Sequence, residues 1–218
     1  AAGFPDLPFA HRDEVSAALE DDLPHQGVYP SRISAQDRFG DPGGLSIVAA
    51  GRIAALIMAR LGNADLVPYD YAALADYLKR LAGALSAEAD RVGVMVDLAP
   101  VQVAAESLAI TGQAFNARLG DLPASVMPAR YAAANRLLLQ AEPRLTRLSG
   151  LSGRPWQRNL IFAADRDDGY ADVPLPGISE AVRDKAVATA AAEVDELASR
   201  LKEVTGLVSG AVSEVVVQ

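Results

Sequence analysis

From Asp41 to the C-terminus, apolar residues recur every three or four positions, the spacing that lines one face of an α-helix. Asp41-Pro42 supplies an N-cap followed by proline at the first helical position, a start signal. Leu45, Val48, Ala49, Ile53, Leu56, Ile57 and Leu61 follow in step, and Gly62-Asn63 marks the end. Asp70 caps a second helix through Leu74, Leu78, Leu81 and Leu85, which fades near Gly93. Asp97 to Pro100 repeats the start signal for a third, carrying Val101, Ala105, Leu108, Phe115 and Leu119 as far as Gly120. A fourth runs from Pro123 to about Leu148, with Pro128 and Pro143 expected to kink or shorten it.

Residues 150–176 break the pattern and form the longest non-helical stretch, a connector in which 158–162 reads as a short extended segment and Asp165 to Gly169 as a polar turn. The last helix is expected to begin near Gly177. Its positions Ala190, Val194, Leu197, Leu201, Val204 and Val208 alternate steps of four and three, the heptad seam of a long bundle helix. Val187, Ala191 and Ala198 beside that seam predict an apolar face wide enough to meet more than one neighbour. Residues 1–40 differ, with Gly3, Pro5, Pro8, Pro24, Gly27 and Pro30 marking an irregular arm that holds one short helix from His11 to Leu23. The pattern thus predicts an all-α bundle of about five helices (residues 41–218) behind an irregular N-terminal arm and connector (residues 1–40), with strand confined to a scrap near Leu160 or the Val215–Val217 tail.

Composition sharpens this. Half of the 218 residues are hydrophobic, enough for a sizeable core, and about a fifth are alanine, the best helix former and one that lets helices pack closely. The formal net charge of −8 speaks against nucleic acid, which needs clustered Lys and Arg. No run of about 18 apolar residues is read from the sequence, so no membrane span is expected. Cysteine is absent, which removes disulfides, thiolate nucleophiles and Cys-based zinc sites.

Chemistry is equally sparse. The chain has two histidines, His11 and His25, and neither stands in a zinc-binding spacing, so no metal and no cofactor are expected. Asp165, Asp167 and Asp168 lack the twelve-residue ligand pattern of a calcium loop and read as a solvated turn. Ser149-Gly150 and Ser152-Gly153 lack the strand–turn–helix setting of a nucleophile elbow. Trp156, the single tryptophan, is expected to anchor the connector to the bundle.

Three stretches carry a resemblance. Gly27-Val28-Tyr29-Pro30-Ser31 with Phe39-Gly40-Asp41-Pro42-Gly43 resembles a junction in zinc-dependent glutamate carboxypeptidases, where Tyr-His-Ser leads to a Phe-Gly-Asp-Pro helix start. Residues 64–71, Ala-Asp-Leu-Val-Pro-Tyr-Asp-Tyr, are similar to the loop after that family's first bundle helix. Gly169-Tyr170-Ala171 with Leu175-Pro176-Gly177-Ile178 looks like the Lys-Tyr-Ala and Phe-Pro-Gly-Ile elements leading into its final helix. Order and spacing match the transferrin-receptor-like dimerisation domain from about Gly27 to the C-terminus.

The resemblance implies a homodimerising helical module whose peptidase domain comes earlier in a longer chain, and it leans towards an exported setting. It also implies site positions. Pro30 stands where the family has a zinc-ligating histidine, and proline offers a metal no lone pair. The stretch from Ser31 to Phe39 is a few residues short of the usual pattern. Tyr29 matches a tyrosine that hydrogen-bonds the tetrahedral intermediate, and Tyr170 one that holds the substrate's terminal carboxylate, but its usual lysine neighbour is Gly169. A non-catalytic dimerisation module is therefore expected. The alternative is a carboxypeptidase fragment lending Tyr29 and Tyr170 to a site that a missing catalytic domain completes.

Overall fold

A computed structural model describes residues 44–120 and 131–215 of the chain. The Asp41-Pro42 start signal, the short helix from His11 to Leu23 and the Val215–Val217 tail beyond Val215 lie outside the described residues. The chain divides into two compact units, residues 1–63 and residues 64–218.

In the first unit, α1 spans Leu45–Gly62. Gly44 precedes it in the left-handed region at φ 67, and Asn63 closes it by donating from Nδ2 to the Ala59 carbonyl at 2.8 Å. Leu45, Val48, Ile53, Leu56, Met58 and Leu61 fall around the whole circumference of α1 and are exposed. By length and composition α1 is long and apolar enough to cross a membrane, with a mean hydropathy of 1.6 over 18 residues. This corrects the expectation that no segment qualifies: Arg52 and Arg60 interrupt the run without outweighing its Leu, Ile and Ala. A core helix of a larger body meets the same criteria.

The second unit is a helical bundle. α2 (Tyr71–Val92) starts where Asp70 Oδ1 accepts the Ala73 N–H at 3.0 Å, a cap that satisfies one orphan donor of the first turn. Its end is a Schellman turn: Val94 N–H reaches the Ala89 carbonyl and Gly93 N–H that of Asp90, with Gly93 at φ 72. α3 (Ala99–Gly120) starts where Asp97 Oδ1 accepts the Ala99 N–H at 2.9 Å. α2 and α3 run antiparallel. Asn116 donates to Asp70, Gly112 lies against Ala72, and Lys79 meets Glu106, so one number falls as the other climbs.

The fourth expected helix is two short ones, α4 (Ala132–Leu138) and α5 (Ala141–Arg144), and residues 121–130 fall outside the described residues. The expected last helix is also two, α6 (Pro176–Arg183) and α7 (Val187–Glu214). They part at Lys185, which sits at φ 55 in a second Schellman turn: Ala186 N–H to Ala181 and Lys185 N–H to Val182. A lysine in the left-handed region gives no sequence warning of a break.

α7 is the axis of this unit and packs against α3, α4, α5 and α6. The expected seam is its buried face: Ala190, Val194, Leu197, Leu201, Val204 and Val208 are all within the core. On α2 the burial falls mainly on small residues. Ala75, Leu78 and Ala82 are fully enclosed, whereas Leu74, Leu81 and Leu85 pack against the core while partly exposed. Alanine at the contact lets the helix axes approach, so leucines are displaced to the rim.

Between α5 and α6 runs the connector. Its strand is a two-stranded antiparallel hairpin, β1 (Phe162–Ala164) with β2 (Asp172–Pro174), in which Ala163 pairs with Val173 and both face inward. The extended segment read from the sequence, residues 158–162, overlaps β1 only at Phe162.

Candidate functional site

The connector is irregular but firmly tied. Leu145, Leu151, Leu160 and Ile161 bury themselves, and four arginines do the rest. Arg147 donates through Nη1 to Glu193 at 3.0 Å and Glu196 at 2.7 Å, both on α7, and through Nε to the Gly150 carbonyl at 2.9 Å. Gly150 sits at φ 69 with the Pro155 carbonyl 2.4 Å from where a Cβ would stand, so only glycine fits. Arg154 bonds the Ala164 carbonyl of β1 at 2.6 Å and pairs with Glu180, the one buried charged residue among those described. Burial pushes the Glu180 carboxyl above its usual range, against the opposing pull of Arg154, Arg166 and Arg183.

The hairpin tip is held in the same way. Arg183 of α6 grips Asp165 at 2.7 Å and Asp167 at 2.9 Å, and Arg166 pairs with Asp184. Asp165 Oδ1 accepts the Asp167 N–H, and Asp168 Oδ1 accepts those of Tyr170 and Ala171. The hydrogen bond from Arg183 holds the Asp165 carboxyl well below its ordinary value, at about 2. These carboxylates already serve arginines and turn amides, the use expected of a polar turn. Among the described residues no group of three or more His, Asp or Glu is placed to hold a metal ion.

Of the expected site positions, Gly169 and Tyr170 are described and Tyr29 and Pro30 are not. Neither are His11 and His25. Gly169 occupies a left-handed position at φ 73, which the turn requires and which a lysine would strain. Tyr170 stands at the tip, 94 % exposed. Trp156 corrects the expectation that it anchors the connector: it is 71 % exposed, and the anchoring falls to the arginines and leucines named above. Leu148, in the same loop, is 84 % exposed.

A cleft of about 670 Å³ opens between α2 and the hairpin, floored by Leu81, Leu85, Val92, Val173 and Val182. Its rim charges include two pairs, Glu88 with Arg91 and Asp165 with Arg183. A pocket under the connector of residues 150–176 is a third possibility that the sequence leaves open; Leu81 and Leu85, which read as plain core positions, are what the sequence does not assign to it.

The wide apolar face expected on the last helix is only partly covered within the chain. Ala198 is buried among the seam residues, while Val187 and Ala191 lie exposed at its edge. The outward face of α7 is small and polar instead.

Residues 96–209 match the family model described as the transferrin receptor-like dimerisation domain. The chain is 27 % identical over 146 residues to a probable glutamate carboxypeptidase of Arabidopsis thaliana, an alignment covering 67 % of this chain and 21 % of that relative. The chain therefore spans about a fifth of the length of the relative it matches.

Proposed function

Because this chain belongs to the transferrin receptor-like dimerisation domain family, we propose that it is a non-catalytic module whose work is to pair with a second copy of itself. We assign residues 41–218 to that module. The observation that carries the reading is the family match across α3, the connector and α7, the elements that build the core of the bundle. A two-fold pair is the simplest closed assembly for such a module. Sedimentation equilibrium tests it: a reversible monomer–dimer equilibrium supports the reading, and a single monomeric species at all concentrations refutes it.

A second reading rests on the hairpin. Three arginine anchors fix β1 and β2, yet Tyr170 projects from them into solvent. We propose that Tyr170, with Tyr29, is a remnant of a substrate pocket completed by a peptidase domain in a longer chain. Gly169 in place of a lysine and Pro30 in place of a histidine weigh against hydrolysis even then. The chain alone is proposed to hydrolyse no peptide and to need no cofactor. Adding a peptidase domain in trans and assaying N-acyl-glutamyl peptide cleavage separates the two readings: a gain that Tyr170→Phe removes favours the second.

A further inference from the structure

The outward face of α7 carries a pattern that the bundle does not use. Ala188, Ala192, Asp195, Ser199, Lys202, Gly206 and Ser209 are all exposed, and they follow one another in alternating steps of four and three. That is a second heptad seam, opposite the buried one. The neighbouring charges are committed within the chain: Glu193 and Glu196 to Arg147, Glu196 also to Arg200, and Glu203 to Arg144. Asp195 and Lys202 make no ion pair among the described residues.

The arrangement is self-complementary. Asp195 and Lys202 straddle a point beside Ser199, and so do Ala192 with Gly206 and Ala188 with Ser209. In an antiparallel pair of identical helices about a two-fold axis at that point, each residue faces its counterpart across the seam. Asp195 then meets Lys202 of the partner subunit, and the contact occurs twice by symmetry. Alanine stands opposite glycine and serine on either side, so the axes can approach to about 8 Å. Val187 and Ala191 add an apolar edge. A parallel pair would instead set Asp195 against Asp195, which like charges oppose.

We propose that a second copy of this chain docks antiparallel on this face of α7, with the two-fold axis beside Ser199 and two Asp195–Lys202 contacts fixing the register. The inference rests on the self-association reading and names its surface.

The chain has no cysteine, so Ser199→Cys introduces a single thiol at the axis. Under mild oxidation it is expected to yield covalent dimer on a non-reducing gel. Ser213→Cys, whose symmetry mate lies about 40 Å away, is expected not to. In parallel, Lys202→Glu replaces two attractive contacts by two repulsive ones and should raise the dimer Kd about tenfold. Adding Asp195→Lys to it should restore the Kd to within about threefold, since both contacts return with their signs exchanged. All these positions are exposed, and circular dichroism is the control that each variant folds. A wild-type dimer that neither cross-links through Ser199→Cys nor weakens with Lys202→Glu overturns this surface and leaves the self-association reading standing. A wild-type chain that is monomeric at every concentration overturns both.

Discussion

Arg147 and Glu193 lie 46 residues apart in sequence and meet at 3.0 Å, which joins the start of the connector to the first turns of α7. Their side chains are 16 % and 14 % exposed, so the pair is largely withdrawn from water. Glu196 closes on the same guanidinium at 2.7 Å. Removing the arginine leaves two carboxylates facing each other with no cation between them. Arg147→Met is expected to destabilise the fold by about 2 kcal/mol, short of the full cost of a buried pair because Glu196 retains Arg200. Urea unfolding followed by circular dichroism measures it, and an unchanged midpoint would show the connector to be held by its leucines alone.

Gly112 sets how closely α2 and α3 approach. A Cβ there would stand 2.5 Å from the Ala72 nitrogen, and backbone cannot yield as a side chain can. Gly112→Ala is therefore expected to destabilise by about 2 kcal/mol, despite alanine's better helix propensity. Gly83 on α2 faces open space. Gly83→Ala is expected to stabilise by up to about 1 kcal/mol. Thermal melts of the two variants should move in opposite directions.

Lys185 and Gly93 perform the same task at two Schellman turns, at φ 55 and φ 72. Only glycine does so without steric cost, which for other L-residues is about 1–2 kcal/mol. Part of that gain is returned as chain entropy in the unfolded state. Lys185→Gly is expected to raise stability by about 0.5–1 kcal/mol, read as a higher melting temperature. A lower one would mean that the lysine side chain supports the α6–α7 corner.

Acid should loosen the hairpin before the bundle. Folding lowers the Asp165 carboxyl from 3.8 to about 2, chiefly through the hydrogen bond from Arg183. Arg166 lowers Asp184 in the same direction. For a carboxyl whose folded value is depressed, the stabilisation is complete above the unfolded value and lost as pH falls through the folded one. The window is thus about pH 4 to 2. The Asp167 amide, which donates to Asp165 Oδ1, should shift its resonance across that window while α7 amides hold, and Asp165→Asn should abolish the shift.

The fold was legible where local rules govern. Asp70 and Asp97 cap the helices that their position before an apolar stripe predicts, and the four-and-three spacing of Ala190 to Val208 marks the buried face of α7. The breaks were less so. Pro143 foretold a shortened fourth helix, but Lys185 takes a conformation that its type disfavours, so the α6–α7 corner left no trace. The connector was visible only as an absence of period, because its anchors join Arg147 to Glu193 and Arg154 to Glu180 across distances that no local pattern encodes. Trp156 misled for a related reason. A lone tryptophan in a small protein suggests burial, and nothing in its neighbours reveals that Leu151 and Leu160 take that place. At the hairpin, Gly169 and Tyr170 were identified by resemblance, while the turn geometry that requires the glycine came from the structure.

Self-association is the central claim, and the mass in solution tests it most directly. One chain has a mass of 22.8 kDa. Light scattering on a sizing column at micromolar concentration is expected to give about 46 kDa, twice that value. A peak that stays at the mass of one chain as the loading concentration is raised would contradict it.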